Sequence, residues 1–361
     1  MYWAKQPSPE AFTSFHKTQR KCQVFGLALA ILVVVLFFAA VNLGEAKIMP
    51  DQVARIVWGK LTFQSQWYAD IPAGLVSIVW DIRLPRILAA LLVGAGLSVS
   101  GAVFQSLLMN PLADPYTLGI STGAAFGASL AIFFSVILET PFLPVLPAAF
   151  LGALLTLLMV TLIANRSAGL YAGNLIIAGI IVSSILSAGI TFLKNAAGEG
   201  VAAIVQWLMG SLSARSWSHV FLLVPISLAG NLVCFHFSRE LNILCAGEDR
   251  AKILGVPVAR TRWILLITAS LITAACVSVS GIIGFVGLVT PHLIRFGLTS
   301  DNQHLLPLSA ALGGLLLLFA DSISRVLFIS EIPVGVLTTL IGGPYFLFLF
   351  LRKNSQGGAG L

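Results

Sequence analysis

Charge is what this sequence has least of. Only 35 of its 361 residues are Asp, Glu, Lys or Arg, 10% against about 25% in a soluble domain. Such a chain cannot clothe a surface that faces only water, so part of its solvent is lipid. Cysteine is also sparse. Cys22, Cys234, Cys245 and Cys276 form no CxxC pair, and neither a disulfide framework nor a metal site is indicated. No GxxxxGK[ST] loop is present to cradle ATP phosphates, and no HExxH zinc pair. No basic run carries interleaved aromatics, so the net charge of +7 does not point to nucleic acid. The apolar segments hold almost no ionisable residue. Intramembrane charges mark coupling-ion and proton sites, so their scarcity argues against a stand-alone proton-coupled carrier, the main rival to a channel driven from outside.

What the chain has is apolar length: 58% hydrophobic residues and a mean hydropathy of +0.96. Runs of about 20 apolar residues cross a hydrocarbon core of roughly 30 Å. They predict an all-α polytopic membrane protein with about ten spans, near 26–41, 84–108, 118–138, 143–164, 174–193, 217–237, 263–280, 281–298, 305–326 and 333–351. Residues 263–290 read as one long tilted helix, as one and a half, or as two spans broken at Ser278–Gly281, and two spans make ten and put both termini on one side. Repeated all-apolar helical runs exclude a β-barrel, whose strands alternate. A signal peptide is the rival reading of the first run, but the run outlasts an h-region of about 7–15 residues and no clear A-x-A site follows. Trp58, Trp67, Tyr68 and Trp80 suit a membrane interface. Residues 201–216 are too short and interrupted to span and read as an interfacial helix. With the amino end inside, the inner segments hold 13 of the 21 Lys and Arg and six of the 14 acids, and the outer segments eight of each. That asymmetry follows the positive-inside rule. It places both termini in the cytoplasm and gives a short segment 1–25, one permease-like domain 26–352 with an external loop at 42–83, and a tail 353–361.

One stretch breaks the apolar pattern. Ser238–Arg262 carries eight of the 35 charges between two long apolar runs. It reads as a docking platform for a separate soluble subunit, with Leu254 and Ile253 as apolar anchors among charges and Gly255 as a helix-ending glycine. The alternative is a solvated loop. Gly119-Ile-Ser121-Thr-Gly123 matches the hydrolase elbow G-x-S-x-G, but no strand precedes it, and in a chain with 33 Gly chance alone makes such a match common enough that the motif is weak evidence. No catalytic residue is assigned. Gly119, Gly123 and Gly127, Gly94 with Ser98, and Gly281, Gly284 and Gly287 form small-residue ridges that let helix backbones approach closely. Asp321 and Arg325 read as a local i,i+4 pair.

Gly281-Ile-Ile-Gly-Phe-Val-Gly-Leu-Val-Thr-Pro-His-Leu-Ile-Arg295 resembles the hallmark of the FecCD family, the permease subunits of type II ABC importers for iron-siderophores, haem and cobalamin. Ile82–Arg86, Gly101–Gln105, Asn110–Pro115, Trp207–Ser211, Gly247–Gly255, Leu318–Arg325 and Glu331–Gly335 resemble further family segments, in order, from about residue 80 to 352. The resemblance implies a type II permease fold in a bacterial or archaeal cytoplasmic membrane. It also implies partners: an identical or homologous second permease, two ATP-binding cassette subunits that carry the ATP and Mg, and a periplasmic or lipid-anchored binding protein. No cofactor is implied for this chain itself. Gly247, Glu248, Asp249, Ala251, Leu254 and Gly255 match the family's ATPase-coupling segment. Arg83, Arg86 and Arg325 match positions that pair with acids of the binding protein. Asn110 and Leu112 match one half of a cytoplasmic gate, and its other half falls at Ala172 and Gly173. There the chain lacks the hydroxyl residues associated with cobalamin import, which weakens a cobalamin assignment; on the breadth of the family an iron-siderophore chelate is expected ahead of haem and cobalamin.

Overall fold

The computed structural model describes residues 9–44, 46, 48–140, 143–166, 171–327 and 331–357. The ends of the expected terminal segments, 1–8 and 358–361, lie outside the described residues. The elements are helical and run in order α1 (Pro9–Asn42), α2 (Pro50–Leu61), α3 (Ala73–Ser77), α4 (Leu84–Leu107), α5 (Ile120–Ile137), α6 (Val145–Arg166), α7 (Ala172–Ala196), α8 (Val201–Leu208), α9 (Trp217–His236), α10 (Ser238–Cys245), α11 (Glu248–Ile253), α12 (Val258–Ser280), α13 (Val286–Gly297), α14 (Asn302–Leu327) and α15 (Val334–Gly357). Among the described residues eight helices are long and apolar enough to cross a membrane, and Val334–Phe348 of α15 is a shorter apolar helix.

The expected second span begins earlier than its apolar run. Helix is continuous from Ala73 to Leu107, through a π-helical stretch at Ile78–Arg83. Pro85 explains the widened turn. It has no N–H to give to Asp81, and a local shift to i→i+5 bonding, as in Leu84 N–H to Val79 C=O, absorbs the break. α4 forms the axis of the bundle and packs against α14, α12, α13 and α9. Its apolar window is 78% buried, whereas that of α1 is 17% buried. α1 therefore stands at the lipid-facing edge, leaning mainly on α14.

Glycine sets the closest approaches. A Cβ on Gly94 would overlap the Gly313 backbone of α14, and one on Gly101 would overlap the Gly287 backbone of α13. In α5, Gly123 and Gly127 meet Gly152 and Ala148 of α6 in the same way. The expected ridges at Gly94 and at Gly123 and Gly127 are thus helix contacts, closed by dispersion between backbones; of the third expected ridge only Gly287 lies in a helix, because Gly281 and Gly284 fall in non-helical backbone.

The segment read as a span at 281–298 is not a full helix. α13 has 12 residues, about 18 Å long, too short to cross alone. Gly281–Phe285 before it is non-helical, with positive φ at Gly281 (68°) and Phe285 (66°). α13 runs beside the half of α4 that ends at Leu107: Gly287 meets Leu97 and Gly101, and Arg295 reaches Ala102 and Ser106. The non-helical piece instead lies against Trp207, Gly210, Gly335 and Gly342. Irregular backbone at membrane depth survives only inside protein or against a cavity. Here Ser211 N–H donates to Ser280 C=O (2.8 Å) and Gly335 N–H to Gly210 C=O (3.2 Å), so neighbouring turns close around it.

Candidate functional site

Three polar constellations stand out in an apolar bundle. The first is the insert between α9 and α12. α10 and α11 meet at Gly247, whose φ of 111° no side-chain-bearing residue adopts easily. α11 ends in a Schellman motif: Gly255 N–H donates to Lys252 C=O and Val256 N–H to Ala251 C=O, both at 3.0 Å. Gly255 supplies the left-handed φ of 79°. Ala251 is fully buried, while Ile253 and Leu254 are 84% and 66% exposed. Glu248 bonds Lys252 at 3.1 Å and reaches Arg262 at 3.6 Å. The Lys252 ammonium, with Arg262, holds the Glu248 carboxyl below the usual range. Asp249 lies exposed beside it. The result is a short charged helix, fixed at both ends, offering two apolar knobs outward.

The second constellation follows α4 at the same end of the bundle. Asn110 Oδ1 accepts Leu112 N–H at 2.9 Å, and Leu112 is 45% exposed. The chain then turns back into the bundle. Asp114 Oδ1 accepts the N–H groups of Tyr116 (2.9 Å) and Thr117 (3.1 Å). Thr117 and Leu118 press against Gly179 of α7, seven residues or about 10 Å beyond Ala172. The two expected gate stretches therefore stand on adjoining elements. Gly173 faces open space. Burial pushes the Asp114 carboxyl up to about 6, against the two backbone bonds that pull it down. The Tyr116 hydroxyl is buried with no hydrogen-bond partner. Both line a cavity of about 550 Å³ whose far wall is Leu208, Met209, Ile282 and Val336, from the opposite end of the bundle. Its other polar side chain is Thr339. Sequence reading quoted Asp114 within a motif but gave it no role.

The third lies at the α8 end. Arg86 Nε and Nη2 donate to Asp321, at 2.9–3.1 Å, and Nη1 donates to both Glu331 oxygens at 2.9 Å. Asp321 is wholly buried, with Arg325 Nε 3.4 Å away. Ser213 donates to Glu331 at 3.1 Å. Arg83 donates to the carbonyls of Val41 and Ala46, both at 2.7 Å. The three arginines expected at a free docking rim are instead buried and engaged within the chain. Their guanidiniums knit α1, α4, α14 and the segment before α15. Although burial pushes it up, the Arg86 guanidinium holds the Glu331 carboxyl below the usual range. Asp321 and Arg325, read as a local pair, are part of this larger cluster.

Ser121 is buried in α5 and its hydroxyl has no hydrogen-bond partner. Among the described residues no base is hydrogen-bonded to it, so the nucleophile–base pair that such a motif needs is not formed there. Among the described residues no group of three His, Cys, Asp or Glu side chains could hold a metal.

The bundle thus combines a long axial helix, a half-helix preceded by non-helical backbone, and a capped polar insert at one end. The FecCD transport family matches residues 31–352. The chain belongs to the FecCD family. It is 39% identical to the uncharacterised ABC transporter permease protein YvrB of Bacillus subtilis, over 96% of this chain and 99% of that one. It is 39% identical to the cobalamin import system permease BtuC of Halobacterium salinarum, over 87% and 86%. Among solved structures it superimposes with a TM-score of 0.78 and 32% identity on an inward-facing ABC transporter classed with the metal-chelate type, covering 91% of this chain and 98% of that one. This FecCD chain is thus a multi-pass membrane permease of an ABC importer, with the type II fold. The half-helix α13 and the short apolar α15 make the count of ten spans approximate.

Proposed function

We propose that this FecCD permease works as one of a pair, identical or homologous, in a bacterial or archaeal cytoplasmic membrane, and moves an iron-siderophore-type chelate inward. Two ATP-binding cassette subunits, which carry ATP and Mg, grip the α10–α11 insert. That assignment puts both termini in the cytoplasm, as the charge asymmetry favours. The observation that carries it is the insert itself. Exposed Ile253 and Leu254, ringed by Glu248, Asp249, Arg250 and Lys252 on a helix pinned by Gly247 and Gly255, form the apolar-anchor and polar-rim pattern of a binding hot spot. A helix only six residues long is marginal on its own, and buried Ala251 with the turn at Gly255 holds this one in place to present the two knobs. The chain itself binds no cofactor in this reading.

The 550 Å³ cavity supports a bulky cargo. Its lining is largely apolar, which suits a conduit that leaves selectivity to a binding protein. Named relatives handle haem, cobalamin and Fe(3+)-citrate, so haem and cobalamin remain the alternatives. Asn110, Leu112, Ala172 and Gly173 are proposed as the cytoplasmic gate below this cavity. A periplasmic or lipid-anchored binding protein would seat on the α8 end. The part proposed for Arg83, Arg86 and Arg325 is to brace that face.

The experiment is co-purification of the ATPase with the double variant Glu248→Arg, Leu254→Asp. Loss of the ATPase, with the permease still monodisperse, is the expected result. An ATPase retained in full would remove the insert from the interface. The cargo is identified by mass spectrometry of ligand released from the captured binding protein.

A further inference from the structure

Arg295, near the end of α13, is a largely buried cation with no carboxylate at ion-pair distance among the described residues. It donates through Nη1 to Gln105 Oε1 and through Nη2 to Ser106 Oγ at 3.2 Å. A buried guanidinium without a counter-charge is costly, so the path of its hydrogen bonds matters. Ser106 Oγ–H donates onward to Asn302 Oδ1 at 3.1 Å. Asn302 Nδ2 donates to Asn242 Oδ1 at 2.8 Å. Asn242 Nδ2 donates to Asp301 Oδ1 at 2.6 Å. Every donor faces the same way, from the Arg295 cation to the Asp301 carboxylate. Bonds aligned in this sense polarise one another and strengthen the whole chain.

The chain runs through four elements that pack together at this end of the bundle, α13, α4, α14 and α10. Asn242 is in α10, part of the insert. Asp301 and Asn302 open α14. Ser106 and Gln105 are in the last turn of α4, and Gln105 C=O accepts Asn110 N–H at 3.1 Å, directly above the gate. Gln105 Nε2 also bonds Leu288 C=O, at 3.3 Å, at the start of α13. Ser106 and Asn302 are 6% and 2% exposed, so water does not compete for these links.

We propose that this polarised chain is the coupling element through which displacement of the insert reaches the gate, with Asn242 and Arg295 as positioning residues. It rests on the reading of the insert as the ATPase dock, and it adds the route by which force leaves it. A pull on α10 draws Asp301 and Asn302 with it, and through Ser106 it turns the end of α4 and the 108–112 turn. α11 holds the partner, and α10 transmits.

The test uses the complete importer in nanodiscs, with Cys245→Ala and a spin label on Leu112→Cys in each permease. The label-to-label distance is read with and without ATP and vanadate, alongside vanadate trapping and ATPase co-purification. In the parent the distance shifts on trapping. Asn242→Asp sets two carboxylates against each other at the acidic end of the chain. Vanadate trapping is expected to survive, while the shifted population falls roughly tenfold, within the range of known coupling energies. The swap Asn242→Asp with Asp301→Asn rebuilds a cation-to-anion chain one link shorter, and the shift is expected to return. A full shift in Asn242→Asp alone overturns the proposal. So does a shift that the swap fails to restore, or an ATPase lost from either variant, since Asn242 would then serve folding or docking only. A parent permease that holds no ATPase at all overturns the dock instead.

Discussion

Arg86→Ala separates a brace from a docking residue. In the structure the Arg86 guanidinium is 8% exposed at its side chain and makes five hydrogen bonds, to Asp321 and Glu331. Removing it leaves Asp321, wholly buried, with only Arg325 at ion-pair distance and poor alignment. Breaking one partner out of a buried pair costs about 3–5 kcal/mol. Glu331, with 43% of its side chain exposed, recovers part of its hydration and adds little. A loss of about 3 kcal/mol is therefore expected, measured by equilibrium unfolding in mixed micelles. Arg86→Ala with Asp321→Ala should cost less than the sum of the two single changes, because the second removal relieves the stranded charge. An arginine waiting at an open rim behaves differently. Its loss would leave stability within about 0.5 kcal/mol and weaken only capture of the binding protein. A stability change below about 1 kcal/mol for Arg86→Ala, with strict additivity, would refute the brace.

Two further outcomes follow from the geometry. Asp114 titrates near 6 in the folded chain against 3.8 for an unperturbed carboxylate, so between those values the folded state binds more protons than the unfolded one. Wild-type stability should therefore fall as pH rises from about 4 to 6. Asp114→Asn keeps the acceptor for Tyr116 and Thr117 and should gain about 3 kcal/mol on wild type over that window, read as diverging melting temperatures in detergent; parallel curves would place the carboxyl in water. Gly101→Ala puts a methyl into the Gly287 backbone and should cost at least 1–3 kcal/mol by overpacking, with unfolding at lower denaturant; an unchanged midpoint would mean that α4 and α13 are not in contact.

Spans and insert were legible in the sequence because their signals are local. Apolar length marks α1, α4 to α7, α9, α12 and α14, and a burst of charge followed by Gly255 marks α11. The segment at 281–298 was misread as a full span for a related reason. Its residues are apolar enough, but positive φ at Gly281 and Phe285 breaks the helix, and only contacts with Gly210 and Gly335 make that break affordable. The arginines were harder still. Composition places Arg83, Arg86 and Arg325 near span ends, but not the partner of Arg86 at Asp321, 235 positions away. The same distance in sequence hid the path from Arg295 to Asp301, whose links sit on four separate helices.

The grip on α4 has a mechanical consequence. Its backbone touches α14 at Gly94 and α13 at Gly101 with no side chain between. A rod seized on both flanks can neither roll nor slip lengthwise without prising a neighbour loose. α5 and α6 are locked together in the same manner through Gly123 and Gly152. Whatever stroke such a molecule performs must bend where those two stiff assemblies are joined, and the covalent joint between them is the short turn from Leu108 to Gly119.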